Sequence, residues 1–425
     1  MLTAIFISLA SCRCDVFVMA PLDLMNNNQE PTYFDKFSNW CSQLKNGNID
    51  GVMIDIWWGL VETSPRNYKW DGYNRVFKVM KEKNLKIIPV LSFHKCGGNV
   101  GDNVNIPIPS FVFSNQVKPY FVDRQNQIND EYISFSYDTI KVGDRTPLEM
   151  YRDFMLAFCQ NFQEYLDSNT IVEIEVGLGP CGELRYPSYL LSRWTYPACG
   201  AFQSYDQQFK EYFKKDAAAA GHPEWNSPPT DTGDYYSYPG SSSFWSNGFK
   251  SDFGKFYQEW YAKQLIDHGS NVLRIAREVF TTTRLSAKIS GIHWQFMTEC
   301  RCAEATAGFY MSNGHDGYKD IVEMFKRHNV DVCFTCLEMT GQDQSAKSDP
   351  GALVNKILQV TKQVGLHFEG ENALERYDWG AYNQILYWAS QGLSAFTYLR
   401  MTDTLMNSYD NWNAFTNFAN QMHNK

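Results

Sequence analysis

The sequence predicts a single (β/α)8 barrel, on three observations. Eight short β-branched runs alternate with segments of 3.6-residue apolar periodicity. Most of the runs end in acids, amides or aromatics, as in barrels whose chemistry sits at the carboxyl ends of their strands. No repeat or low-complexity linker divides the 425 residues, a length that a barrel with long insertions can fill alone.

In order, the strand candidates are residues 15–19, 51–56, 86–91, 172–176, 288–294, 331–335, 365–368 and 393–399. Between them, Tyr33, Phe37, Trp40 and Leu44 make one helical stripe and Tyr73, Val76, Phe77 and Met80 another. Tyr318, Ile321, Val322 and Phe325 share a face. So do Leu353, Val354, Ile357 and Thr361, on a helix with Asp349 as N-cap and Pro350 at its first position. Two connections are long, 97–146 after strand three and 181–252 after strand four. Loops of that length on the catalytic face are expected to form a lobe over the site.

A net charge of −9 argues against nucleic acid or an anionic membrane surface as partner. Aromatics make up 16% of the chain, with 12 Trp and 25 Tyr. Flat apolar rings with polar tips suit sugars, although core packing accounts for most of them. The 11 cysteines do not make a disulfide scaffold in so long a chain, and their odd number leaves at least one thiol free. Cys333-x-x-Cys336 has no second pair with ligand spacing, so no metal is expected.

Residues 2–10, LTAIFISLA, are apolar but too short to span a bilayer. Ser8-Leu9-Ala10 fits the small-x-small rule for signal cleavage. Residues 1–13 therefore read as a signal peptide or disordered leader, and 14–425 as the catalytic domain. The first reading places the protein in a secretory, endomembrane or lysosomal compartment; the second leaves it in the cytoplasm. Leu9-Ala10-Ser11-Cys12 also resembles a bacterial lipoprotein box, but no basic residue precedes it.

The strand ends carry the chemistry. After the fourth strand, Gly177, Gly179 and Gly182 break regular structure, and Glu183 follows beside Arg185, Tyr186 and Tyr189. Strand two delivers Asp55, Trp57 and Trp58, and strand three His94 and the run from Gly97 to Asp102. Strand five delivers Lys288, His293 and Trp294, strand six Thr335, strand seven Glu371, Asn372 and Ala373, and strand eight Arg400. Acids that chelate hydroxyl pairs, with indoles that stack on ring faces, describe a sugar site. The Gly97–Asp102 run lacks the Lys-Ser/Thr of a P-loop, so nucleotide binding is rejected and no cofactor is expected. Glycosidic cleavage needs one carboxyl group to protonate the leaving oxygen and a second across the sugar. Glu183 and Glu371 are the best-placed pair, whether as acid and base or as acid/base and nucleophile.

Seven motifs, in order, closely resemble the β-amylase family. They are DGVMIDIWWG from Asp50, HKCGGNVGD from His94, the stretch from Gly177 to Tyr189, GIHW from Gly291, FTCLEM from Phe334, GENAL from Gly370 and FTYLR from Phe396. The resemblance runs from about Val16 to the C-terminal helix. It implies an inverting exo-hydrolase that removes β-maltose from the non-reducing ends of α-1,4-glucans such as starch, glycogen and maltodextrin. Glu183 would be the general acid, Glu371 the general base, and residues 97–104 a lid. Asp55, His94, Asp102, Lys288, His293, Thr335, Asn372, Ala373 and Arg400 would contact substrate or support the site. Two departures stand out: Cys333 where plant members have Asn, and Gln295-Phe296 after the GIHW motif. No C-terminal starch-binding module is seen, so poor binding to raw granules is expected. A catalytically silent sugar binder and a retaining glycosidase are the competing readings; intact Glu183, Glu371, Asp102 and Thr335 favour hydrolysis.

Overall fold

Residues 13–425 are described by the computed structural model. The signal-peptide reading therefore falls, up to residue 12, outside the described residues. Eight parallel strands close into a barrel: β1 Asp15–Met19, β2 Gly51–Trp57, β3 Lys86–Ser92, β4 Ile174–Val176, β5 Leu285–Ile289, β6 Asp331–Phe334, β7 Phe368–Glu371 and β8 Leu393–Tyr398. Each strand pairs with its neighbours in sequence, and β1 pairs with β8 from Asp15↔Ala395 to Val18↔Tyr398. The β2–β3 ladder begins at Gly51, where an added Cβ would stand 2.2 Å from the Lys86 carbonyl oxygen. Only glycine lets the two backbones approach there.

The principal helices are α1 Phe34–Asn46, α2 Asp71–Glu82, α3 Pro147–Asn161, α4 Asp252–Val279, α5 Gly317–Arg327, α6 Pro350–Val364, α7 Trp379–Ser390 and α8 Tyr409–Met422. The expected stripes are buried: Phe37, Trp40 and Leu44 on α1, Tyr318, Ile321, Val322 and Phe325 on α5. Asp349 caps α6, its Oδ1 accepting from the Ala352 N–H at 2.9 Å.

The barrel interior has two characters. Phe17, Met19, Met53, Ile88, Val90 and Ala395 form an apolar cluster of their own. Elsewhere the barrel buries acids: Glu173 just before β4, Glu175 on β4, Asp331 on β6, and Glu369 and Glu371 on β7. Arg284 meets Glu173 at 3.3 Å and Asp331 at 2.7 Å and also pairs with Glu369. Buried charge persists only when compensated in this way.

Two strands lie away from their expected positions. Strand five is Leu285–Ile289, not 288–294, because its register with Ile174↔Leu285 and Asp331↔Ser286 starts it three residues earlier. Residues 290–294 are thereby released onto the rim. Strand seven is Phe368–Glu371, not 365–368; Gly365, at φ 71°, ends α6. The expected strand stopped short of two glutamates, yet Arg284 pairs with one and Lys288 with the other.

The long connections after β3 and β4 pack on each other as a lobe. The Tyr205 N–H donates to the Val122 carbonyl at 3.0 Å, and Ser134 and Ser136 donate to Asp206 at 2.9 and 2.8 Å. A disulfide, Cys199–Cys302, ties the lobe to the segment after β5 across 103 residues of sequence. No helix among the described residues is long and apolar enough to cross a membrane.

Candidate active site

A cavity of about 600 Å³ opens at the carboxyl ends of the strands. Its walls include Glu183, Glu371, Asp55, His94, Asp102, Lys288, His293, Thr335, Asn372, Ala373 and Arg400, every site residue expected from the sequence. A second cleft of about 500 Å³, between α1 and α8, is lined by neutral residues such as Asn39, Gln43 and Trp412 and shares none of these groups.

Glu183 is set by a turn that leaves the barrel after β4 and returns. An added Cβ on Gly179 would stand 2.5 Å from the Glu183 carbonyl oxygen and 2.8 Å from that of Arg185, so the turn closes only around glycine. At its end Glu183 makes a single parallel bridge with Lys288 of β5, and the Leu184 N–H donates to the Lys288 carbonyl at 2.8 Å. Arg185 Nε donates to Glu183 Oε2 at 2.7 Å, and the guanidinium lies 4.2 Å from the centre of the Tyr189 ring. Among the described residues, Glu183 Oε1 takes no hydrogen bond from the protein.

Glu371 ends β7, opposite Thr397 of β8. Lys288 Nζ lies 2.9 Å from Glu371 Oε2 and 3.3 Å from Glu175 Oε1, while the buried Glu371 Oε1 has no hydrogen-bond partner among the described residues. Burial would depress the Lys288 amine, but Glu175 and Glu371 outweigh it and hold the ammonium form firmly. Glu175, Cys333 and Glu371 bring potential ligand atoms within 4.8 Å of one another, and the Lys288 ammonium supplies positive charge to that group. Cys333 and Cys336 are both buried free thiols.

Burial, against the favourable charge of Lys288 and with the repulsion of Glu371, pushes Glu175 from 4.5 up to about 7. A folded-state value above the unfolded one stabilises the protein below 4.5, and that stabilisation is lost as pH rises through about 7. Glu175→Gln removes the titration, so its melting temperature relative to wild type is expected to rise between pH 5 and pH 8. A constant difference in thermal melts at those two values would contradict this account of Glu175.

The remaining residues orient or wall the site. Asp55 Oδ1 accepts from Ser92 Oγ at 2.7 Å, and Oδ2 is 3.8 Å from Arg400 Nη1; burial nonetheless raises its pKa. His94 stands edge-on to Trp57 at 5.1 Å. Burial, then Lys288, Arg185 and Arg400, push its pKa down to about 3, and its buried Nδ1 has no hydrogen-bond partner among the described residues. Burial likewise lowers His293 to about 4, with Nδ1 2.7 Å from Ser348 Oγ. Thr335 Oγ1 accepts from the Gly291 N–H at 3.0 Å. The Asn372 amide donates to the Leu374 and Leu399 carbonyls and accepts from the Leu399 N–H. Glu338, unassigned by the sequence, accepts from the N–H groups of Ala373 and Leu374 and so holds the residues after Glu371. Asp102 Oδ2 accepts from the N–H groups of Gly97 and Asn99 at 2.8 and 3.0 Å.

One wall is aromatic, formed by Tyr189, Trp194, Tyr196 and Trp294. Trp194 and Trp294 have ring centres 5.3 Å apart, and both indole N–H groups donate to the Ala198 carbonyl. Cys199, next in the chain, is fixed by the disulfide. Periodicity could not have found this wall, because its residues come from two rim segments brought together only in the fold.

Among the described residues, Cys181 is the free thiol that lines the cavity, its Sγ 3.5 Å from Arg185 Nη2; Cys96 and Cys336 are buried and do not line it. Burial holds the Cys181 thiol well above its ordinary value, so a maleimide is expected to inactivate by bulk at Cys181 slowly at pH 7 and faster as the pH rises. Cys181→Ser should keep activity and resist the reagent, and an inactive but folded Cys181→Ser would give the thiol a role absent here.

Paired buried carboxylates, each with one oxygen anchored by a cation, face a cavity with an aromatic wall at the mouth of a (β/α)8 barrel. That is the equipment of a glycoside hydrolase. The sequence comparisons agree: the chain belongs to glycosyl hydrolase family 14, whose family description matches residues 17–425. It is 42% identical to "Beta-amylase 2, chloroplastic" of Arabidopsis thaliana over 96% of its own length and 79% of that protein's. It is also 42% identical to the "Beta-amylase" of Glycine max, over 96% and 86% of the two chains. Among solved structures, the catalytic domain of β-amylase from Paenibacillus polymyxa superposes with a TM-score of 0.81 at 29% identity, covering 96% of this chain and 98% of that one.

Proposed function

We propose that this protein is a β-amylase: it hydrolyses α-1,4-glucosidic bonds of starch, glycogen and related glucans and releases β-maltose from non-reducing ends with inversion. The observation that carries the reading is the arrangement of the two acids. Both residues line the same cavity, and each has Oε2 held by a cation, Arg185 or Lys288, and Oε1 without a hydrogen-bond partner among the described residues. Glu183 Oε1 delivers a proton to the glycosidic oxygen. Glu371 Oε1 takes a proton from the water that attacks the anomeric carbon from the opposite face. Lys288 keeps Glu371 oriented and compensates its charge; Asp55, His94, Asp102, His293, Thr335, Asn372, Ala373 and Arg400 bind or orient the sugar.

The catalytic domain spans residues 14–425 and residues 1–13 form a targeting segment. Some relatives are chloroplastic by name. Here the first 12 residues contain no Lys or Arg, unlike an Arg-rich transit peptide, and the buried Cys199–Cys302 disulfide suits an oxidising compartment. The disulfide favours secretory or endomembrane routing; the missing basic residues favour neither kind of targeting segment.

The reading is tested by incubation with maltopentaose while product anomers are followed by NMR. Newly formed β-maltose is the expected product. A first-formed α-anomer would overturn inversion, and the absence of any product would favour a sugar binder.

A further inference from the structure

Arg185 is not needed to explain an acid, yet it is the most elaborately held side chain near Glu183. Besides Glu183 Oε2, its buried guanidinium donates from Nη1 to the Tyr186 carbonyl at 3.2 Å and from Nη2 to Asn99 Oδ1 at 3.3 Å. Asn99 belongs to the glycine-rich loop, where Gly97, Gly98 and Gly101 all have φ between 85° and 118°. Its neighbour Val100 is 70% exposed, but Asn99 is only 7% exposed. The Asn99 amide nitrogen donates to Glu131 Oε1 at 2.5 Å, and Asn129 Nδ2 donates to Glu131 Oε2 at 2.9 Å. One continuous chain of bonds thus runs from the lobe through the loop to the acid: Asn129, Glu131, Asn99, Arg185, Glu183.

We propose that Arg185 and Asn99 are positioning residues through which the glycine-rich loop sets the orientation of Glu183. The proposal rests on the reading of Glu183 as the acid. A guanidinium holds its donors in a rigid planar fork, so where one end is held decides where the other end points. With Oε2 gripped by Nε, the Glu183 carboxyl plane is set and Oε1 faces the cavity. The loop moves as a unit, because Asp102 Oδ2 binds the N–H groups of Gly97 and Asn99 and the Asp102 N–H donates to the Asn99 carbonyl at 3.2 Å. A sugar hydroxyl that engages Asp102 competes with those bonds and shifts Asn99, and the shift reaches Glu183 through Arg185. Glycine supplies the backbone freedom for that movement.

The test separates this role from loop packing by changing the leaving group. Fluoride departs with little protonation, so α-maltosyl fluoride needs the acid far less than a glucan does. On Asn99→Ala, kcat for maltopentaose is expected to fall about 10–100-fold with KM little changed, while hydrolysis of the fluoride falls less than about 3-fold. Arg185→Lys, which keeps the charge but loses the fork, should show the same split. Equal losses on both substrates, or a raised KM at unchanged kcat, would overturn the proposal. Glu183→Gln on the same two substrates isolates the underlying reading: if the fluoride is not spared there, the acid assignment itself fails. Thermal melts check folding, and if Arg185→Lys does not fold, Asn99→Ala decides alone.

Discussion

Glu183→Gln and Glu371→Gln are each expected to lower kcat on maltopentaose by at least about 10³-fold while binding of maltose, followed by calorimetry, persists. The amide keeps the size of the carboxyl group, and in both positions it can still present an oxygen to the anchoring Arg185 or Lys288. It cannot give or take the proton. Loss of either partner leaves the other unable to complete the displacement, so the effects of the two variants should not multiply in the double mutant. Near wild-type turnover in either variant, by steady-state assay of reducing ends, would remove that residue from its role.

Lys288→Met should be nearly as damaging, for an electrostatic reason. Lys288 is the cation between Glu175 and Glu371, both buried. Glu175 already favours a proton below about 7; without the ammonium nothing keeps the negative charge on Glu371 rather than on its neighbour, and the proton is shared between them. The base is then shared and unavailable, so kcat at pH 6 is expected to fall about 10²–10³-fold. Raising the pH strips the shared proton, so the variant's rate should climb from pH 6 to pH 8 more steeply than that of the wild type. A pH–rate profile parallel to the wild type would show that the ammonium acts in some way other than compensating the pair.

Glu183 and Glu371 could be singled out in sequence because each follows a local signal, a strand broken by glycines for Glu183 and the GEN run for Glu371. Strand seven itself was misplaced, since periodicity reads glutamate as solvent-facing and cannot see that Arg284 and Lys288 wait on other strands. Strand five slid for a related reason. Its Gly-Ile-His-Trp continuation looks extended, but the ladder to β4 and β6 ends at Ile289. Arg185, Glu175 and Glu338 were visible as residues but not as parts of a site. Their importance lies in what they touch.

By itself the sequence determined the barrel and the chemical class, because strand–helix alternation and glycine-broken strand ends are local patterns. The motif resemblance added the family, and all eleven named site residues do meet in one cavity. The tertiary structure alone decided which oxygen of each acid is anchored and which is free, and which cation does the anchoring. It also decided that Cys199 pairs with Cys302, 103 residues away, and that Asn99 reaches the acid through Arg185. These are contacts between side chains far apart in the chain, created only when the barrel closes and its two long loops pack together. No local periodicity encodes them.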